Sequence, residues 1–128
     1  MKIYGIGTDI VKIKRIKNSF KKNKIFKNRI FSKNEIIFCE KNKNKFNCYA
    51  KRFAAKEAFS KSIGTGISKG LKFNEISVKN DILGKPKIII KGKSLKIVLK
   101  MLNTKRFRTY LSLSDEDEYA IATILTVI

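Results

Sequence analysis

Residues 46–64 read FNCYAKRFAAKEAFSKSIG, and this stretch predicts the longest helix of the chain, over about 46–63 and stopped by Gly64. On a helical wheel Phe46, Ala50 and Phe53 fall within about 60° of one another, and Glu57 lies on the same stripe. Lys45, Lys51 and Lys56 sit elsewhere around the wheel, with Phe59 near the opposite side. A helix apolar on more than one side is wedged between other elements or between subunits.

The segments around it predict the rest. Upstream, KIYGIGTDI (2–10) alternates as a strand ending near Asp9, and Ile13, Ile16 and Phe20 form one apolar stripe of a helix over about 12–22. A short helical patch follows around Ile25 to Phe31. Ser32 and Glu35 then make an S-x-x-E capping box that opens a helix through Ile36, Ile37 and Phe38. Downstream, GTGISKG (64–70) leads to a strand at about 73–79. The turn NDILGKP (80–86) joins that strand to KIIIKG (87–92), with Pro86 at the strand's start. Leu95, Val98, Leu99 and Leu102 define a helix over about 94–103. Two final strands, about 106–114 and 118–127, are joined by the acidic turn 114–118, and the last, apolar on both faces, is expected at the centre of a sheet. With no repeat and no Pro/Ser-rich linker, the expectation is one domain over residues 1–128, of α+β class, with one antiparallel sheet packed on the long helix.

Composition narrows the chemistry. The 128 residues carry 30 Lys and Arg against 10 Asp and Glu, a net charge of +20, while 43% apolar content suffices for a core. Such a charge attracts anionic partners, although a chain saturated in Lys, Asn and Ile owes much of it to A/T-rich codons. Histidine is absent, which excludes imidazole acid–base chemistry, His-dependent triads within one chain and histidine-ligated zinc. Cys39 and Cys48 are too few for a zinc site or a disulfide framework and are expected as reduced cytosolic thiols. Neither a secretory leader nor a membrane-length apolar run is visible, so a soluble cytoplasmic protein is expected.

Two carboxylates stand out. Glu57 on an inward stripe is costly to bury unless it is paired or bound to a cation. It either forms an internal salt bridge with Lys56, Lys61 or Arg52, or it serves as a ligand. Asp9, between a strand and a helix, is either an N-cap or a ligand. Together the two supply hard oxygen donors of the kind Mg2+ takes. Lys61, one turn after Glu57, is close enough to pair with it or to reach a phosphate.

GIGTDI…KRI (5–16), RFAAKEAFSKSIGTGI (52–67), GKP (84–86) and SLSDEDEYAIA (112–122) resemble, in order, the blocks of the holo-acyl-carrier-protein synthase family, small 4'-phosphopantetheinyl transferases. The resemblance spans about residues 3–126. It implies the phosphopantetheinyl transferase fold and transfer of 4'-phosphopantetheine from coenzyme A to a serine of apo-acyl carrier protein, releasing adenosine 3',5'-bisphosphate. By the same resemblance Asp9 and Glu57 hold Mg2+, and Lys61 lies near the diphosphate. Gly64, Thr65 and Gly66, with Lys85 and Pro86, hold the nucleotide end. Arg15, with Lys14, Lys21 and Lys22, grips the acidic carrier protein, and a homotrimer carries active sites at its subunit interfaces. With no histidine, the serine proton has Glu57, a water at the metal or a lysine as acceptors. Asp115 stands where many family members carry a phosphate-contacting histidine, and a phosphate role is not carried over to it. The rival class is a small basic nucleic-acid-binding domain, for which RFRTYL (106–111) is the only hint.

Overall fold

A computed structural model describes residues 1–64 and 70–128. The chain runs β1 (Ile3–Lys12), α1 (Ile13–Lys22), α2 (Phe26–Ile30), α3 (Lys33–Glu40) and α4 (Lys45–Ile63). After a 3-10 turn (Phe73–Glu75) come β2 (Ile76–Asn80), β3 (Pro86–Ile90), α5 (Gly92–Leu102), β4 (Arg108–Asp115) and β5 (Tyr119–Val127). The α+β class holds, and the last strand is central as its apolar faces demand: the main sheet is antiparallel, in the order β1-β5-β4. The expectation of one sheet is corrected, because β2 and β3 pair only with each other. Alternation within a strand fixes which face is buried but not which strand lies beside it.

The capping box forms as read. Ser32 Oγ accepts from Glu35 N at 3.2 Å, and Ser32 N donates to Glu35 Oε1 at 2.9 Å. Gly64 ends α4 in the left-handed region, with φ at 83°. β1 continues to Lys12, so Asp9 lies inside the strand and caps nothing; the N-cap of α1 is Lys12, without a side-chain hydrogen bond.

The long helix lies against the inner face of the main sheet. Small residues make the approach close: Ala54, Ala55 and Ala58 on α4 meet Ala120 and Ala122 on β5 in one buried core. On β1, a Cβ at Gly5 would collide with the carbonyl oxygen of Ser62, and one at Gly7 with that of Ala58. The helix backbone thus rests on the strand backbone. Gly7→Ala is expected to force α4 off β1 and to cost on the order of 3 kcal/mol, read as a lower urea midpoint. An unchanged midpoint would mean the helix yields freely.

The other side of α4 meets α1 and α2 through rings. Phe20 packs against Phe26, Phe31, Phe46 and Tyr49, with centroid separations of 4.7–6.0 Å. These contacts anchor the apolar stripe of α1 and leave its lysines facing solvent.

The expectation of two reduced thiols is also corrected. Cys39 and Cys48 are joined as a disulfide, with Cα atoms 5.5 Å apart. The sequence separation of nine residues could not reveal that α3 and α4 form a helical hairpin over the 41–44 connection, which brings the last turn of one against the first turn of the other.

Candidate active site

Asp9 and Lys61 come together where the end of α4 crosses β1. Lys61 Nζ donates to Asp9 Oδ1 at 3.1 Å and to the carbonyl oxygen of Thr8 at 3.0 Å. The lysine therefore pairs with the aspartate, whereas sequence spacing had suggested its neighbour one turn back. Glu57 is half-buried on the same helix. It makes no ion pair among the described residues, which removes the salt-bridge reading: Lys56 is committed to Glu35 and Lys61 to Asp9.

The electrostatics of Glu57 show its company. Burial is the main cause that raises its pKa above the ordinary 4.5, and the charge of Asp9 raises it further. Lys61 and Arg15 oppose both effects without cancelling them. Two carboxylates and two cations, from β1, α1 and α4, thus share one field. Arg15 was read from sequence only as a partner contact. Its guanidinium lies 5.9 Å from the ring centroid of Phe53, one turn before Glu57. Nothing in its periodic pattern separates it from the neighbouring lysines; only the packing of α1 on α4 does.

A sign follows for pH. A carboxylate whose folded pKa is raised contributes stability below its unfolded pKa, and that contribution is lost as pH rises through the folded value. Ionised Glu57 therefore costs stability at neutral pH, and a cation bound there offsets that cost. The rise in melting temperature expected from a divalent cation held at this carboxylate should shrink as pH falls through the raised Glu57 value. A shift independent of pH across that window would disconnect Glu57 from the cation.

The remaining predicted residues are scattered more widely. Gly64 caps α4 just past Lys61, while Thr65 and Gly66 lie outside the described residues. Lys85 is exposed and Pro86 half-buried at the β2–β3 turn, where Asp81 Oδ1 accepts from the backbone N–H groups of Leu83 and Lys85, each at 2.9 Å. Lys14, Lys21 and Lys22 are exposed on α1, and the first two border a groove of about 410 Å³ that ends at Asp117 and Glu118. Asp115 is bound internally, accepting from Asn47 at 2.8 Å and pairing with Lys51 at 3.2 Å. Burial alone would raise its pKa, but the hydrogen bonds from Asn47 and Lys51 and the charge of Lys51 hold it below the usual value. Among the described residues, no helix is long and apolar enough to cross a membrane.

Comparison with known proteins identifies the family and the fold. The 4'-phosphopantetheinyl transferase superfamily matches residues 5–124. The holo-[acyl-carrier-protein] synthase of Pelagibacter ubique is 50% identical over 125 residues, covering 98% of this chain and 97% of that protein. The crystal structure of the Neisseria meningitidis holo-[acyl-carrier-protein] synthase superposes with a TM-score of 0.85 at 39% identity, covering 98% of this chain and 99% of that one. A Bacillus anthracis holo-(acyl-carrier-protein) synthase in complex with CoA (3',5'-ADP) gives a TM-score of 0.79 at 35% identity, covering 99% and 98%. None of these names describes a nucleic-acid-binding protein, and the rival class is not supported. The chain belongs to the holo-acyl-carrier-protein synthase family of the 4'-phosphopantetheinyl transferase superfamily, a family of enzymes.

Proposed function

We propose that the chain, acting as a single domain over residues 1–128, transfers 4'-phosphopantetheine from coenzyme A to a serine hydroxyl of apo-acyl carrier protein. The reaction requires Mg2+ and releases adenosine 3',5'-bisphosphate, and it takes place in the cytoplasm as a step that prepares the carrier for fatty acid synthesis. The observation that carries this reading is the meeting of Asp9, Glu57 and Lys61 at the β1–α4 crossing, in a chain similar along its whole length to named synthases.

The donor set fits the ion. Two carboxylates from separate elements, close enough for one charge to raise the other's pKa, are hard oxygen donors of the kind Mg2+ accepts beside substrate phosphates. When bound between Asp9 and Glu57, the ion supplies charge neutralisation at the diphosphate. Lys61, tethered to Asp9, is positioned to take a phosphate oxygen or to stabilise the leaving bisphosphate. In a chain without histidine, Glu57, a water beside the ion and a lysine are the acceptors available for the serine proton. Lys85 and Pro86, on a turn braced by Asp81, together with Gly64, Thr65 and Gly66, hold the nucleotide end. Most of the catalysis is positioning and charge stabilisation, as expected for phosphoryl chemistry.

Recognition of the carrier falls to α1. Lys14, Lys21 and Lys22 face solvent, and Arg15 lies close enough to Glu57, where the carrier's serine must arrive, for its charge to act on that carboxylate. Lys14→Glu/Lys21→Glu is expected to raise KM for the carrier by about tenfold, leave kcat nearly unchanged and weaken the salt dependence. An unchanged KM would remove α1 from the docking surface.

The outer face of the main sheet supports the homotrimer. Ile6, Leu125 and Tyr110 stand in one cross-strand row and Ile10 and Ile121 in another, and Ile6 and Ile10 are 67% and 58% exposed. An apolar sheet face of this kind is a subunit contact. Such an assembly sets active sites at the subunit interfaces. The activity is tested by incubating the protein with apo-carrier protein, coenzyme A and Mg2+ and following the carrier's mass. A gain of one phosphopantetheine is expected, and no gain beside a working control enzyme would overturn the assignment.

A further inference from the structure

Arg52 is buried at 3% exposure without an acidic partner among the described residues. Its Nη1 donates to Cys48 Sγ at 3.3 Å and its Nη2 to Asn80 Oδ1 at 2.7 Å, the Phe38 ring lies 4.4 Å from its centre, and its Nε has no partner among the described residues. None of these neighbours is an anion. The acid whose field reaches it, Glu35, is already engaged by Lys56 at 2.6 Å. A guanidinium taken out of water with only a sulfur and an amide for company lacks a counter-charge. Burial accordingly lowers its pKa, with Glu35's field opposing.

The sulfur it touches is half of the Cys39–Cys48 pair. As a thiolate, Cys48 would supply the anion that Arg52 lacks, and a cation in contact with a thiol favours the thiolate, which is the reactive form. Arg52 touches Cys48 and not Cys39, so the two sulfurs are unequal. We propose that Cys39 and Cys48 form a reversible dithiol–disulfide couple in which Arg52 makes Cys48 the attacking thiolate.

With oxidised glutathione as the oxidant, the Cys48 thiolate attacks one sulfur of its disulfide. A mixed disulfide forms and a glutathione thiolate leaves to take up a proton. Cys39 then loses its proton, and its sulfur attacks that of Cys48, forming the internal bond and expelling the second glutathione. Two electrons pass from the chain to glutathione, and two thiols become one disulfide. Both sulfurs are buried, so exchange waits on opening of the exposed 41–44 connection.

The test uses the full chain in glutathione buffers of graded oxidised-to-reduced ratio, quenched with an alkylating reagent under denaturing conditions and weighed intact. Two alkyl groups are expected in reducing buffer and none in oxidising buffer. Two at every ratio would overturn the couple, as would a stable adduct of one glutathione and one alkyl group. In Cys39→Ser the pH dependence of Cys48 alkylation is expected to have its midpoint below the ordinary thiol value of about 8.5. A midpoint at or above that value removes the role of Arg52. Adding Arg52→Met should slow alkylation at neutral pH by about tenfold, and an unchanged rate would likewise remove it. If circular dichroism finds that double variant unfolded, the Cys39→Ser midpoint decides alone.

Discussion

Replacing Glu57 by glutamine is expected to reduce transfer by about a thousandfold or more while leaving a folded protein. The first half follows from the proposed role as a metal ligand, and the second from the structure. Ionised Glu57 sits half-buried, held above its ordinary pKa first by burial and then by Asp9, so removing its charge relieves repulsion and breaks no ion pair. Asp9→Asn is expected to lose comparable activity at little cost in stability, since its pair with a lysine 54% exposed contributes little to folding. If the two carboxylates serve one cation, Asp9→Asn/Glu57→Gln should be hardly slower than either single variant, because the second change removes nothing still in use. Steady-state rates on apo-carrier protein measure this, and melting curves with and without Mg2+ and coenzyme A check the cause. The ligand-induced shift should vanish in both single variants. Wild-type turnover in either would end its role as a metal ligand.

Much of the architecture was legible because local signals coincided with it. The S-x-x-E box at Ser32 and Glu35, the glycine at 64 and the two-sided apolarity of the last strand are features that neighbouring residues determine. Asp9 and Glu57 were legible as unusual carboxylates, each with a structural alternative. Tertiary contact removed those alternatives, carrying β1 past Asp9 and committing Lys56 and Lys61 elsewhere. What sequence missed was consistently long-range. The β2–β3 pair separates from the main sheet, Cys39 meets Cys48 only because two helices fold back on each other, and Arg15 reaches Glu57's field only through the packing of α1 on α4. Lys56 is the plainest miss. On a wheel it looked like one more basic residue, yet it is wholly buried and bound to an acid 21 positions away.

Lys56 joins more elements than any residue of the active site. Its Nζ donates to Glu35 Oε1 at 2.6 Å, to the carbonyl oxygen of Phe73 at 3.0 Å and to that of Ile76. Glu35 in turn accepts from the backbone N–H of Ser32 and of Val78, each at 2.9 Å, so one ion pair ties α4 to the start of α3, the 3-10 turn and β2. Burial pushes the Lys56 ammonium down to about 8, with the charge of Glu35 offsetting part of the effect. Lys56→Met fits an apolar chain into the same space but leaves the Glu35 carboxylate buried without its cation, at a cost of about 3–5 kcal/mol. Lys56→Met/Glu35→Gln removes both charges and is expected to recover much of that loss, since an unpaired charge costs more than a missing pair. Urea unfolding measures both, and a single variant destabilised by less than about 1 kcal/mol would show that the pair does not brace the fold. Neighbouring residues 56 and 57 thus yield opposite outcomes: one substitution lowers stability in proportion to the charge it strands, the other abolishes transfer in a protein that still folds. That contrast would separate the helix's face toward α3 and β2, which holds the structure, from its face toward β1, to which the proposed chemistry is assigned.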